Sequence, residues 1–309
     1  MQRKVNANSN KYRNCSEKRR CIIANEKIKD GQSQQTLEGQ QHIQKDPRYE
    51  RWRWVIFVVT YLAYAGFYLT RKSFPVAKVG ILNDPSIEMG KGVMGLIDGL
   101  YGAAYALGHF VWGVCADRFG TRTVVLAGML FSILVAVAMG LSSIAILMGV
   151  LFFIQGLCQS TGWAPLTKNV SYWFSRKERG RTYGFWATNY AVGGMVAGAF
   201  AGYMALKFSS WRFAFFGPAA VLTGIWLLFL IFQKNRPEDI GLPPIEEYHG
   251  EPKDVLVDAH EKPQDEPDGS WKAIGRVFKN LMIIRLAVVY FLLKPVRYAI
   301  LFWGPVMIY

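Results

Sequence analysis

Arg71 and Lys72 stand side by side in "YAGFYLTRKSF", behind 16 uncharged residues that run from Val55 to Thr70. A second pair of cations, Lys294 and Arg297, lies within "YFLLKPVRYAILFWGP", with apolar residues on both sides. Cations in such surroundings are costly, and they usually face a polar interior rather than lipid. Tyr64, Tyr68 and Arg71 fall at i, i+4 and i+7, on one face of a helix. Tyr101, Tyr105 and His109 make a second stripe at i, i+4 and i+8. Two guanidinium groups from separate segments, amid phenols, suit an oxyanion with several acceptor oxygens, because the planar fork of arginine pairs bidentately with phosphate. Hydropathy alone leaves another reading of Arg71, a side chain that snorkels to the interface. The phenolic stripe makes poor lipid-facing surface, and with the second cation pair it favours Arg71 pointing inward, near Tyr105 and Arg297. Lysine in place of either arginine would then keep the charge, lose the fork and cost most of the binding.

No other chemistry competes. His42, His109, His249 and His260 share no metal-ligand spacing, and neither a glycine-rich phosphate loop nor a Ser-His-Asp or Cys-His arrangement is legible. Neither catalytic residues, a metal nor a cofactor is expected, and the chain does not read as an enzyme. Cys15, Cys21, Cys115 and Cys158 form no disulfide framework and are expected to be reduced.

The elements that must position these cations are membrane helices. The 309 residues carry a net charge of +14, yet 51% are hydrophobic, and the two kinds are segregated along the chain. Crossing about 30 Å of hydrocarbon takes roughly 18 or more apolar residues. Such runs occur at about 54–77, 93–115, 123–142, 144–166, 182–206, 212–232 and 281–309, seven candidate spans of an all-α membrane protein. From Val55 to Thr70 a helix covers only about 24 Å, so the first span should continue through Arg71 and Lys72 to Ala77 or Val79. Met1–Arg53 holds 13 Lys and Arg against 6 Asp and Glu, which predicts a cytoplasmic N-terminus on a disordered tail. The Arg-rich connections "ADRFGTR" and "SRKERGR" alternate with nearly uncharged ones and keep that orientation. The positive charge therefore reports topology and lipid contact, and no nucleic acid is needed to explain it.

Several local signals refine this picture. Gly113, Asp117, Arg118, Gly120 and Arg122, in "GVCADRFGTR", form a tight loop in which Asp117 should pair with an arginine or cap a helix; such a network could hold one conformation of a rocking bundle. Gly194, Gly198 and Gly202 recur every four residues and predict close helix approach. Pro165 suggests a bend in the fourth span. Residues 234–280 read as a solvated cytoplasmic linker with a short amphipathic helix near "WKAIGRVFKN".

"YLTRKSF", "GLIDGLYGAAYALGHFVWGVCADR", "GWAPLTKNVSYWFSRKERGRTYGFWATNYAVGG", "GLPPIEEY" and "LLKPVRYAILFW" together resemble the organophosphate:phosphate antiporter family of the major facilitator superfamily. That family includes glycerol-3-phosphate and hexose-6-phosphate transporters and a membrane sensor relative. The resemblance runs from about residue 50 to the end. It implies two six-helix halves with one phosphate site between them, exchanging an organic phosphate for inorganic phosphate by alternating access. It also implies a multi-pass protein of the plasma (inner) membrane, taken here as a monomer. Arg71 and Arg297 match the family's phosphate-binding arginines, and Lys72 the lysine after the first. Tyr64, Tyr68, Tyr105 and Trp163 match pocket aromatics. His109 and Tyr190 depart from the glycerol-3-phosphate transporters, which have a lysine and a histidine there, while Lys294 is expected to restore a charge. Twelve spans are implied, of which this chain would supply the N-terminal six-helix bundle (54–233) and the first helix of an incomplete second half (281–309). A sensor that binds an organophosphate and signals to a kinase would need the same site, and a non-functional fragment is the remaining alternative.

Overall fold

The computed structural model describes residues 46–249 and 280–308. Among them there is helix and no strand. In chain order the helices are α1 (Pro47–Leu82), α2 (Lys91–Phe119), α3 (Thr121–Leu141), α4 (Ala145–Gln159), α5 (Trp163–Trp173), α6 (Arg176–Trp186), α7 (Asn189–Lys207), α8 (Phe213–Phe232), a single turn α9 (Ile245–Tyr248) and α10 (Leu281–Ile308). α1 starts at a proline, its first turn capped by the Asp46 carboxylate, which accepts from the Arg48 N–H at 2.8 Å. It is 36 residues long, about 54 Å, so it carries Arg71 and Lys72 well inside its length. It also begins before residue 54, so the end of the expected disordered tail is helical; the rest of that tail lies outside the described residues.

Five segments are long and apolar enough to cross a membrane by themselves: Pro47–Leu82, Thr121–Leu141, Ala145–Trp173, Phe213–Phe232 and Leu281–Met307. α2 and α7, the other two expected spans, are diluted by glycine, tyrosine and polar residues. The surface explains why this sequence needs a lipid solvent. Leu96, Phe110, Leu141, Ile146, Met195 and Leu206 are exposed, while Arg71, Lys78, Gln155, Gln159, Asn169 and Asn189 are buried. α1 is the central post, packed against α7 and α8, while α2 lies on α4 and α3 on α4 and α8.

Two apolar clusters hold the bundle. At the end bearing the 113–122 loop, Phe67, Met129, Leu166, Trp173, Trp186 and Leu222 pack together. At the far end Phe74, Ile97, Tyr101, Phe152 and Phe215 do so, joined by Phe302 of α10. α10 reaches the bundle only through its last turns, and residues 281–297 are exposed.

Two local expectations are corrected, and a third, the bend in the fourth span, is located. The close approach on α7 is made by Gly193, where a Cβ would sit 2.8 Å from the Ala65 Cα; nothing lies near one at Gly198 or Gly202. The packing stripe is thus Gly193, Ala197 and Ala201, one residue away from the glycine repeat, because helix orientation rather than glycine spacing sets the face. In the fourth span the helix breaks at Ser160–Gly162, ahead of Pro165, which sits in the first turn of α5. Ser160 and Thr161 hydroxyls donate to the Leu157 and Cys158 carbonyls at 2.6 and 2.7 Å, satisfying groups the break would strand. Finally, 234–249 is not a solvated linker. Leu242 and Ile245 are buried against Tyr49, and Tyr248 stacks on Tyr49 with ring centroids 4.0 Å apart. The remainder of the expected linker, with its amphipathic helix, lies outside the described residues.

Candidate functional site

Arg71 is 1% exposed, so it points into the bundle. Its Nε donates to the Gln159 Oε1 at 2.9 Å, and its guanidinium carbon lies 4.4 and 4.6 Å from the ring centroids of Tyr68 and Tyr105. The helix break after Gln159 puts that amide at the end of α4, facing α1. There Gln159 also accepts from the Tyr101 hydroxyl at 2.7 Å and donates to the Thr70 hydroxyl at 3.0 Å. Both acceptor positions of the Gln159 oxygen are therefore engaged, which helps fix the guanidinium in one plane. One terminal nitrogen of Arg71, Nη2, is buried without a hydrogen-bond partner. A buried charged donor left unpaired costs free energy, and an anion is the group that would relieve it. Sequence reasoning missed Gln159 and Thr70; nothing in a single glutamine 88 positions away signals such a contact.

The aromatic residues close around this cation. Tyr64 and Tyr105 hydroxyls are 3.4 Å apart, Tyr64 packs against Trp163 at 5.1 Å, and Tyr105 against the His109 ring at 4.4 Å. His109 Nδ1 lies 2.8 Å from the Tyr105 carbonyl. Carbonyls only accept, so Nδ1 carries the proton and Nε2 is the ring nitrogen left for other partners. Trp186, not anticipated, backs Tyr64 and Trp163 at 5.8 and 5.4 Å.

Arg297 and Lys294 come from α10. The Arg297 guanidinium lies 4.4 Å from the Tyr190 ring centroid, and Lys294 lies 5.9 Å from that of Tyr298. Tyr298 is within electrostatic reach of both Arg71 and Arg297, and Lys294 within reach of Arg71 and Tyr105. Lys72, Lys294 and Arg297 line one cleft of about 640 Å³. Pro305 has no N–H to offer the Leu301 carbonyl four residues earlier, and Lys72 Nζ fills that position at 2.9 Å. Every expected site residue thus gathers on α1, α2, α5, α7 and α10 around Arg71 or Arg297. The two sets differ in burial, since Arg297 is exposed.

The 113–122 loop is also ordered as expected in part. Gly120 has φ +81°, a conformation that favours glycine, and it turns α2 directly into α3. Asp117 pairs with Lys168 of α5, not with an arginine, and caps no helix. The Arg122 N–H and guanidinium donate to Asn235 Oδ1 at 2.8 Å and to the Leu230 carbonyl at 2.6 Å. Arg118 lies over the Phe119 ring at 5.6 Å, and Gly113 has open space beside it. These contacts tie the loop to α5 and to the end of α8. Arg53, buried beneath them, bonds the Trp173 carbonyl at 3.0 Å and pairs with Glu50 and Glu178.

Residues 49–309 match the family model of the Major Facilitator Superfamily. The chain belongs to that superfamily. It is 32% identical to a glycerol-3-phosphate transporter of Haemophilus influenzae, over 84% of this chain and 57% of that protein. It is 29% identical to a probable hexose phosphate transport protein of Chlamydia pneumoniae, over 70% of this chain and 46% of that one. A membrane sensor protein, UhpC of Salmonella typhimurium, is 30% identical over 84% of this chain and 57% of its own length. Among solved structures, a bacterial homologue of the lysosomal transporter Spinster superposes with a TM-score of 0.62 at 17% identity, covering 84% of this chain and 55% of that one. The chain is thus an integral membrane protein of a transporter superfamily rather than an enzyme one, and it spans about half the length of the curated relatives it matches.

Proposed function

We propose that this chain forms the N-terminal bundle and first C-terminal helix of a secondary transporter that exchanges an organic phosphate, glycerol-3-phosphate or a hexose phosphate, for inorganic phosphate. The observation that carries the reading is the unpartnered Nη2 of Arg71, a fully buried cation braced by Gln159 and two phenols. A phosphate dianion seated there accepts a charge-assisted hydrogen bond from Arg71, and Lys72, Lys294 and Arg297, which line a cleft of their own, supply further positive charge in this reading. Each such bond contributes about 1.5–3 kcal/mol, which must exceed the cost of removing water from the dianion. His109, whose Nε2 is left for other partners, is the group that reads the organic part on the α2 side in this proposal. In this reading the loop end faces the cytoplasm of a cell whose inner membrane holds the protein.

The likeness to UhpC supports a second reading, an organophosphate sensor using the same cations. Full-length protein in vesicles loaded with inorganic phosphate separates the two. Exchange of external labelled phosphate or glycerol-3-phosphate for the internal pool supports transport. Saturable binding without exchange supports the sensor, and absence of both overturns the phosphate site.

A further inference from the structure

One buried ion pair has no part in the phosphate site. Lys78 is fully buried and pairs with Asp98 of α2, itself 8% exposed. Its Nζ also donates to the Phe302 carbonyl of α10 at 3.2 Å and lies 4.2 Å from the Trp303 ring centroid. We propose that Lys78 and Asp98 form a latch that seats α10 on the far end of the bundle, closing that end when α10 is seated and opening it when α10 lifts away.

The position fits a closure. Lys78 follows Arg71 by seven residues, two helical turns or about 10 Å along the same face of α1. It therefore lies between the phosphate site and the far end. The chemistry fits as well. α1, α2 and α4 are already joined at this level by Phe74, Tyr101 and Phe152, and a buried ion pair adds little stability over apolar side chains of the same size. Within a membrane it is costly unless it has a further task. An ammonium has three donors; Asp98 takes one, and the Phe302 carbonyl takes another only while α10 is seated. When α10 leaves, Lys78 gives up that carbonyl and the indole face but keeps its carboxylate, so no charge is stranded. The Trp303 side chain lies against Asp98 as well, so seating α10 engages both members of the pair. Such a seat is directional, which a purely apolar contact of Phe302 would not be.

The latch presupposes that α10 moves against the bundle, and in that respect it rests on the transport reading, but its test uses no substrate. In full-length protein lacking its native cysteines, a cysteine replaces Gly95, whose Cβ would lie 3.7 Å from the Trp303 ring. An impermeant maleimide is added on the side of the Asp84–Gly90 turn, and the labelling rate is read. Lys78→Met with Asp98→Leu, which removes both charges and keeps the bulk, should raise the rate about 10-fold, and Trp303→Leu about 3-fold, in line with the modest worth of each contact. Should the double variant fail to fold, Trp303→Leu and Asp98→Asn carry the test. Rates within twofold of the parent in folded variants overturn the latch. Faster labelling in a protein that neither binds nor exchanges phosphate keeps the latch and removes the substrate reading.

Discussion

Arg71 and Arg297 are the same residue type at one candidate site, yet the protein treats them oppositely. Arg71 is enclosed by α1, α2 and α4, braced in plane by Gln159 and sandwiched by Tyr68 and Tyr105. Arg297 is exposed on α10 and rests on one ring, Tyr190. One cation is held entirely by the first bundle; the other is carried on a helix that meets that bundle from Arg297 onward. A preorganised donor loses little entropy when an anion arrives, whereas a loosely held one must be ordered at that moment. Affinity should therefore reside mainly with Arg71, and Arg297 should report whether α10 has closed.

The sharpest way to break this comparison is Arg71→Lys. An ammonium reaches neither Gln159 nor the anion with the same fork, so phosphate affinity should fall about 100-fold, from the loss of a charge-assisted bond and its bracing, as read by equilibrium binding to the full-length protein. A near-silent Arg71→Lys would mean that the cation is structural. Gln159→Leu comes next. Arg71 keeps its charge but loses the acceptor that orients it, so affinity should drop about 10-fold while thermal stability in detergent changes little in comparison. Equal losses of stability and binding would deny Gln159 a positioning role. Arg297→Lys should cost less binding than Arg71→Lys, roughly 3- to 10-fold, and slow exchange more than it weakens binding; equal losses at both arginines would erase the distinction. The smallest effect lies far from both. Hydrogen bonds from Ser86 and then Trp211 hold the Asp84 carboxyl down to about 2. A depressed carboxylate contributes stability above its unfolded value of about 3.9 and loses it as pH falls toward 2. Trp211 fluorescence should report a local change in that window, absent in Asp84→Asn.

How much of this was legible depended on whether the signal was periodic. The Tyr64, Tyr68, Arg71 stripe announces a single helix face by its spacing, and α2 repeats the device with Tyr101, Tyr105 and His109. Arg71 does turn inward, and the aromatic residues do meet it. Gln159 and Asp98 have no such signal: one polar residue among glycines and apolar neighbours acquires meaning only when a helix break or a neighbouring lysine is placed beside it. Lys78 sits at the expected edge of the first span, where hydropathy scores a buried cation and a terminal one alike. The Gly194, Gly198, Gly202 repeat was visible but pointed one residue aside, since α7 is oriented by all its contacts and not by its smallest residues. Composition misled at 234–249, where prolines and charges suggested solvent; the partner that orders them, Tyr49, lies some 200 residues earlier.

The distribution of charge along α1 also bears on how the protein enters a bilayer. Arg71, Lys72 and Lys78 all fall in the second half of one helix, and their partners come from α4, α10 and α2 respectively. Left alone in hydrocarbon, that helix would carry three uncompensated cations, each unfavourable by a few kcal/mol even on insertion-based scales. By length and composition it can still cross by itself, but as a lone span it carries this unfavourable charge until later helices arrive. Arrival of α2 neutralises Lys78, arrival of α4 supplies Gln159 to Arg71, and only α10 satisfies Lys72. The central post of the bundle is therefore the last of its helices to become fully at home in lipid, although it is the first to be made.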